Sequence, residues 1–453
     1  MLVRRSPPQR LHVQAPDPAH GYLRRLRPWD AALIVVGGII GGGIFLTPGI
    51  AAQRTESGLA LLLLWAGAGV LTLIGALCYA ELGARRPQAG GSYVYLREAF
   101  GSLPAFLFGW TMLVANFTGS IAAVAITFGR YAATAAGTSE RAAPAFAVGA
   151  IVLLTLIHAR GIGAGALAQN ILTLLKLTAI AVLVATGLWL AADHLPTALA
   201  HDGTMAQGSL SGALLPVLFT YGGFAYLNTL AGEVRDPERN LPRALILGML
   251  GVMAAYLLAN VAYLAVLGRA GLAASDAPAA AVMQQGFGAI GARLMAAGIA
   301  ASTFGYCAVA LGGAARVLQT MAAEGLFFGG LAALHPVRHT PQRALALLAV
   351  WAVLLALSGS FGALLNYTTV ADWLGYAGAV AALFWYRRAR AAEAVAYRVP
   401  LYPWLPLLFV AVVLAVVVVT VIASPGDAGM GALVVLLGVP AYYGWRRLGR
   451  SAA

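Results

Sequence analysis

The sequence predicts an all-α integral membrane protein of twelve transmembrane helices, arranged as two five-helix halves in inverted repeat plus two added helices, with helices 1 and 6 broken. Three observations predict it: a composition too apolar for water, twelve windows of spanning length, and glycine interruptions in two corresponding windows. Of 453 residues, 60% are hydrophobic and only 10% charged, against about 25% charged in soluble domains. Disorder, collagen and coiled coil are excluded by that balance. The net charge of +13 would suggest nucleic acid, but the arginines sit in short tracts between apolar windows. Such tracts orient helices in a bilayer rather than bind nucleic acid.

A basic tail, residues 1–28, carries Arg4, Arg5, Arg10, Arg24, Arg25 and Arg27. It has no short apolar stretch ending in small residues, so no cleaved signal peptide is expected. The first half, 29–192, contains windows 29–52, 58–84, 103–135, 143–159 and 163–192. The second half, 210–386, contains windows 210–234, 241–267, 290–319, 344–358 and 362–385. Two further windows, 401–423 and 429–445, fill 401–446 ahead of a short tail, 447–453. Most can supply roughly the 20 residues that a crossing needs; window 344–358 is the shortest, at 15. With the N-terminus inside, 23 of the 28 arginines fall on one side and only Arg54, Arg130, Arg141, Arg269 and Arg293 on the other. By the positive-inside rule both termini are cytoplasmic. Cys78 and Cys307 both lie within apolar windows, so neither a disulfide framework nor a cysteine metal site is expected.

The first window reads VGGIIGGGIF from Val36 to Phe45, with five glycines in seven positions. Each costs about 1 kcal/mol of helix stability relative to alanine, which marks Gly41, Gly42 and Gly43 as a break. Close helix packing is the other account, because Gly37 with Gly41 and Gly38 with Gly42 have small-xxx-small spacing. The sixth window, five windows later, is also interrupted at its centre, at Phe219-Thr220-Tyr221-Gly222-Gly223-Phe224-Ala225-Tyr226. Paired interruptions in corresponding helices point to an inverted-repeat transporter. Free N–H groups at a half-helix start can hold a carboxylate, and exposed carbonyls can accept from an ammonium. A free α-amino acid carries both groups.

Lys176 is the sole lysine and lies at the centre of the fifth window. An ammonium at mid-bilayer costs about 2.5 to 3.5 kcal/mol, and the apolar stretches on either side oppose snorkelling to the interface. It is therefore expected to face the interior, either taking the place of a coupling cation or moving a proton. Asp372, inside the tenth window, could contact substrate, exchange protons or bond a backbone amide, and the sequence leaves all three open. Glu81 and Glu233, near cytoplasmic window ends, read as solvated or gate-closing carboxylates, with pairing to nearby arginines the other account. No G-x-S-x-G, H-E-x-x-H or P-loop is present. His335 and His339 have Pro336 between them, which argues against a helical metal pair. No enzymatic activity, cofactor or metal is expected.

Trp29-Asp30 with VVGGIIGGGIFLTP (Val35 to Pro48) resembles the first helix of the amino acid, polyamine and organocation superfamily. YGGFAYLNTLAGEVRDPERNLPRA (Tyr221 to Ala244) is similar to the bacterial L-type amino acid transporters, as are Ala80-Glu81-Leu82-Gly83 through Gly90-Gly91-Ser92-Tyr93, Glu324-Gly325 with Leu334-His335-Pro336, and Tyr397 to Pro406. The resemblance implies substrate held at the two breaks. Amides around Gly41, Gly42 and Gly43 would take the carboxylate, and carbonyls of Ile39, Phe219 and Gly222 the amine. Phe219 would also be the outer gate. Lys176 matches a lysine that stands beside the first-helix break and replaces a sodium site, which implies sodium-independent transport. Where the family often has Trp-Asn, this chain has Phe224-Ala225, so Ala225 departs at a position that bears on side-chain preference. Residues 138–144 lack the cysteine that would link a heavy subunit, and no covalent partner is expected. The resemblance thus implies an amino acid substrate in the inner membrane and exchange of neutral amino acids by alternating access. Proton symport, a cationic or polyamine substrate, and a non-transporting nutrient sensor are the alternatives; the sensor's usual soluble extension is not seen after Trp445.

Overall fold

The computed structural model describes residues 21–191, 199, 210–358, 361–423 and 425–450. Arg4, Arg5 and Arg10 of the basic tail lie outside the described residues. All regular structure among those described is helical, apart from one isolated parallel bridge between Leu26 and Val234. In chain order the helices are α1 Pro28–Ile39, α2 Gly43–Ala52, α3 Gly58–Arg85, α4 Ser92–Phe100, α5 Ser102–Thr111, α6 Phe117–Ala136, α7 Ala143–Ala159 and α8 Ile162–Ala191. They continue as α9 Leu210–Tyr221, α10 Tyr226–Thr229, α11 Pro237–Ala273, α12 Pro278–Ala323, α13 Gln342–Leu357, α14 Phe361–Ala389, α15 Trp404–Ala423 and α16 Pro425–Arg450.

Local chemistry sets many of these limits. Pro28 opens α1, where its missing N–H costs nothing, and Asp30 accepts from the Arg27 amide at 2.8 Å. Ser57 caps α3 by accepting from the Ala60 amide at 3.0 Å. A π turn, Met112–Asn116, joins α5 to α6, and Gly137 ends α6 in the left-handed conformation.

Seven described helices are long and apolar enough to cross a bilayer, or eight if α1 and α2 count as one bent span. That is fewer than the twelve windows. The shortfall has a local cause in two of them: α9 stops at the second break, and α13 has only 16 residues, about 24 Å at 1.5 Å per residue.

α1 and α2 meet at a bend of 40°. α1 packs against α8, α11 and α12, while α2 packs against α9 and α11. The core therefore encloses the two interrupted helices and leaves apolar side chains of α15 and α16, such as Leu408, Val418 and Leu436, facing outward.

Candidate functional site

The break in the first window falls at Ile40 to Gly42. Ile40 turns to ψ 96°, and α2 restarts at Gly43. The second break spans Gly222 to Ala225 between α9 and α10, with Gly223 at φ +93°, a backbone angle that side chains rarely adopt. The two breaks touch: a β-carbon on Gly223 would collide with the Gly38 carbonyl, and one on Gly43 would come within 2.5 Å of Thr220 Oγ1. Glycine is needed here for close approach as well as for the bend. Both accounts of the glycine run therefore apply, because Gly37 also packs tightly on Gln169 and Thr173 of α8.

Lys176 is fully buried. Its Nζ donates to the carbonyls of Gly37 at 3.0 Å and Ile40 at 2.6 Å, at the C-terminal end of α1. The ammonium thus neutralises the negative end of that half-helix and satisfies carbonyls that the break has freed. Ser302 Oγ of α12 adds a hydrogen bond to the Gly41 carbonyl at 2.8 Å. Snorkelling does not occur.

The other end of the break differs. The first N–H groups of α2, those of Gly43 and Ile44, precede any intrahelical acceptor, while the Phe45 amide donates to the Gly42 carbonyl at 3.1 Å; the helix dipole makes this end positive. Gly41 and Gly42 are buried and Gly43 is half-buried. Of the carbonyls assigned to an amine, that of Ile39 lies 3.2 Å from the Tyr256 hydroxyl and that of Phe219 accepts from the Gly222 amide at 3.0 Å. Each keeps a second lone pair. Tyr256 also lies 3.0 Å from the Thr220 carbonyl, so one hydroxyl proton serves an acceptor on each broken helix. Phe219 is half-buried, while Ala225 is buried in the turn. Phe224 points away from the break into a ring cluster with Tyr79 and Tyr376, at 5.4 and 4.7 Å.

Asp372 of α14 is hydrogen-bonded by the side chain of Asn116 from the π turn. Its neighbours connect to both breaks. Tyr376, one turn on, accepts from the Gly223 amide at 3.2 Å. Tyr306, whose hydroxyl is 3.1 Å from that of Tyr226, presents its ring to Gly41. Lys176 and Asp372 thus approach the breaks from different sides, one through α8 and the other through α14.

At the end of the bundle where α1 begins, the packing is closed. Glu233 pairs with Arg316 at 3.0 Å, both side chains 1% exposed. Leu26 exchanges backbone hydrogen bonds with Glu233 and Arg235, at 2.9 Å each. Glu81 is fully buried and accepts from Arg85 at 2.7 Å and Arg387 at 2.6 Å. Glu81 and Glu233 are therefore not solvated; each sits inside an ion pair. Beside them, hydrogen bonds from Arg86 hold the Glu393 carboxyl below the usual carboxylate range, and burial pushes the Tyr397 phenol up to about 12.

Sequence reasoning missed Ser302, Tyr256 and Asn116. Each is a polar residue inside a helix with no charge to draw notice, and the only available signal was a hydrogen-bonding group at mid-window. Among the described residues no cluster of three or more His, Cys, Asp or Glu could hold a metal.

The family model "Amino acid permease" matches residues 26–439. The serine/threonine exchanger SteT of Bacillus subtilis is 32% identical over 92% of this chain and 95% of its own. The mouse b(0,+)-type amino acid transporter 1 is 32% identical over 86% of this chain and 81% of its own. The mouse large neutral amino acids transporter small subunit 2 is 31% identical over 91% and 79%. A match of this extent, on a bundle with two touching helix breaks, means that the chain is a multi-pass membrane permease and not an enzyme, and that it belongs to the amino acid permease family.

Proposed function

We propose that this protein exchanges amino acids across the inner membrane by alternating access, without sodium, and that neutral L-amino acids are its substrates. Its twelve crossings form a five-plus-five inverted repeat, with both termini cytoplasmic. The substrate carboxylate binds the N–H groups of Gly41, Gly42 and Gly43, and the amine binds carbonyls of Ile39, Phe219 and Gly222. Phe219 closes over the site, and Ala225 leaves room beside the side chain.

The observation that carries this reading is Lys176 on the Gly37 and Ile40 carbonyls. A fixed ammonium already fills the acceptors that a free cation would need, so the broken helix is complete without sodium. What remains open at the break is an anion-binding N-terminus beside carbonyls, which matches a zwitterion. The name of SteT supports exchange, and the names of the two mouse relatives support amino acid transport.

A second reading rests on Asp372. Its carboxylate in the Asn116, Tyr306 and Tyr376 cluster supports a proton-coupled or cationic substrate cycle. Sodium-free proteoliposomes loaded with unlabelled amino acid separate the two. Uptake of labelled neutral amino acid only into loaded vesicles supports exchange. Accumulation in empty vesicles under an inward proton gradient supports coupling through Asp372 and overturns obligatory exchange. No covalent heavy subunit is part of this proposal.

A further inference from the structure

At the end of the bundle away from Glu233, the last turn of α11 and the first turns of α12 form a helical hairpin, residues 269–287, bounded by two glycines. Gly268 interrupts α11 at φ 64° and Gly288 interrupts α12 at φ 63°. No atom lies within 4 Å of where a β-carbon would stand on either. Space does not require glycine at these positions; the backbone angle does.

Between these glycines the chain packs directly on α2. A β-carbon on Gly49 would lie 2.8 Å from the Ser275 carbonyl and 3.1 Å from that of Leu272. Gln53 Nε2 donates to the Ala273 carbonyl at 2.8 Å. Arg269, only 5% exposed, donates from Nη1 to the carbonyls of Ala52 at 2.9 Å and Thr55 at 2.8 Å. A buried guanidinium on the last carbonyl of α2, and on that of Thr55 three residues beyond, sits at the negative end of that helix, the end opposite the break. The far end of the hairpin meets α8, where the rings of Phe287 and Trp189 lie 6.4 Å apart.

We propose that Arg269 is a positioning residue that joins α2 to the 269–287 hairpin as one rigid body, turning on Gly268 and Gly288 as the site opens and closes. Any movement of the hairpin then carries the N–H groups at the start of α2 with it. This goes beyond the exchange reading and rests on it only for the transport readouts.

The test joins the two parts covalently with the pair Gln53→Cys and Ala273→Cys. The oxidised protein is expected to exchange amino acid within about two-fold of its reduced form. Exchange that stops on oxidation and returns on reduction would show the parts moving past each other and overturn the proposal. Arg269→Met is expected to slow exchange by about ten-fold or more, and the cross-link to restore it; wild-type exchange in Arg269→Met, or no recovery, counts against the latch. Should that variant not fold, the cross-link comparison in the wild-type background decides alone. Hydrogen exchange in detergent needs no transport. There, Arg269→Met is expected to deprotect residues 43–52 and 269–287 together, and unchanged protection overturns the latch even if the wild type transports nothing.

Discussion

Lys176 satisfies two carbonyls released by the α1 break, and Lys176→Ala leaves both orphaned in the interior at about 1 to 3 kcal/mol. The variant is expected to stay folded with a lower Tm and to lose exchange by about a hundred-fold or more, because the break is no longer held. Wild-type exchange rates with that lowered Tm would leave Lys176 a packing residue only. At Gly42 a β-carbon would stand 3.1 Å from Thr303 and 3.4 Å from Thr127, so the larger Gly42→Val fills the break. Substrate affinity should fall by about ten-fold or more, read by isothermal titration or thermal shift; unchanged affinity puts the site elsewhere. Both residues were legible in the sequence because each breaks a rule of apolar helices, a charge in one case and a glycine run in the other. Ser302 and Tyr256 break no such rule, and only the folded chain brings them to the breaks.

Helices and their connections carry the closed end. Glu233 and Arg316 are 83 positions apart and no spacing pattern links them, so the sequence could suggest pairing with an arginine but not name the partner. Breaking such a pair strands a buried charge at about 3 to 5 kcal/mol. Glu233→Gln is therefore expected to lower Tm sharply, and Arg316→Met in the same chain to recover part of the loss; additive losses would mean the pair does not act as a unit. The Arg86 cluster behaves differently because Glu393 is partly exposed. Its carboxyl titrates lower in the fold than in the unfolded chain, so it contributes stability above the unfolded value, about 4.3, and loses it as pH falls through the folded value. The Tm gap between wild type and Glu393→Gln should be present near neutral pH and close on acidification. A gap that persists in acid would exclude this ion pair as its source.

For the whole molecule, composition and arginine distribution gave the membrane class, and paired glycine interruptions located both breaks, because hydropathy and helix-breaking act locally. The count of crossings was less legible. Among the described residues seven or eight helices qualify by length and composition, against twelve apolar windows; two of the windows fall short because one helix stops at a break and another has only 16 residues. The Asp372 to Asn116 bond was invisible for another reason: it joins α14 to a π turn, a local geometry without a sequence signature. Exchange without sodium is the central proposal. The direct measurement is counterflow of labelled neutral amino acid in proteoliposomes containing no sodium, for wild type and Lys176→Ala. The account predicts uptake by the wild type only into loaded vesicles, unchanged when sodium is added, and none by the variant. Uptake that requires sodium, or that proceeds equally in the variant, would contradict it.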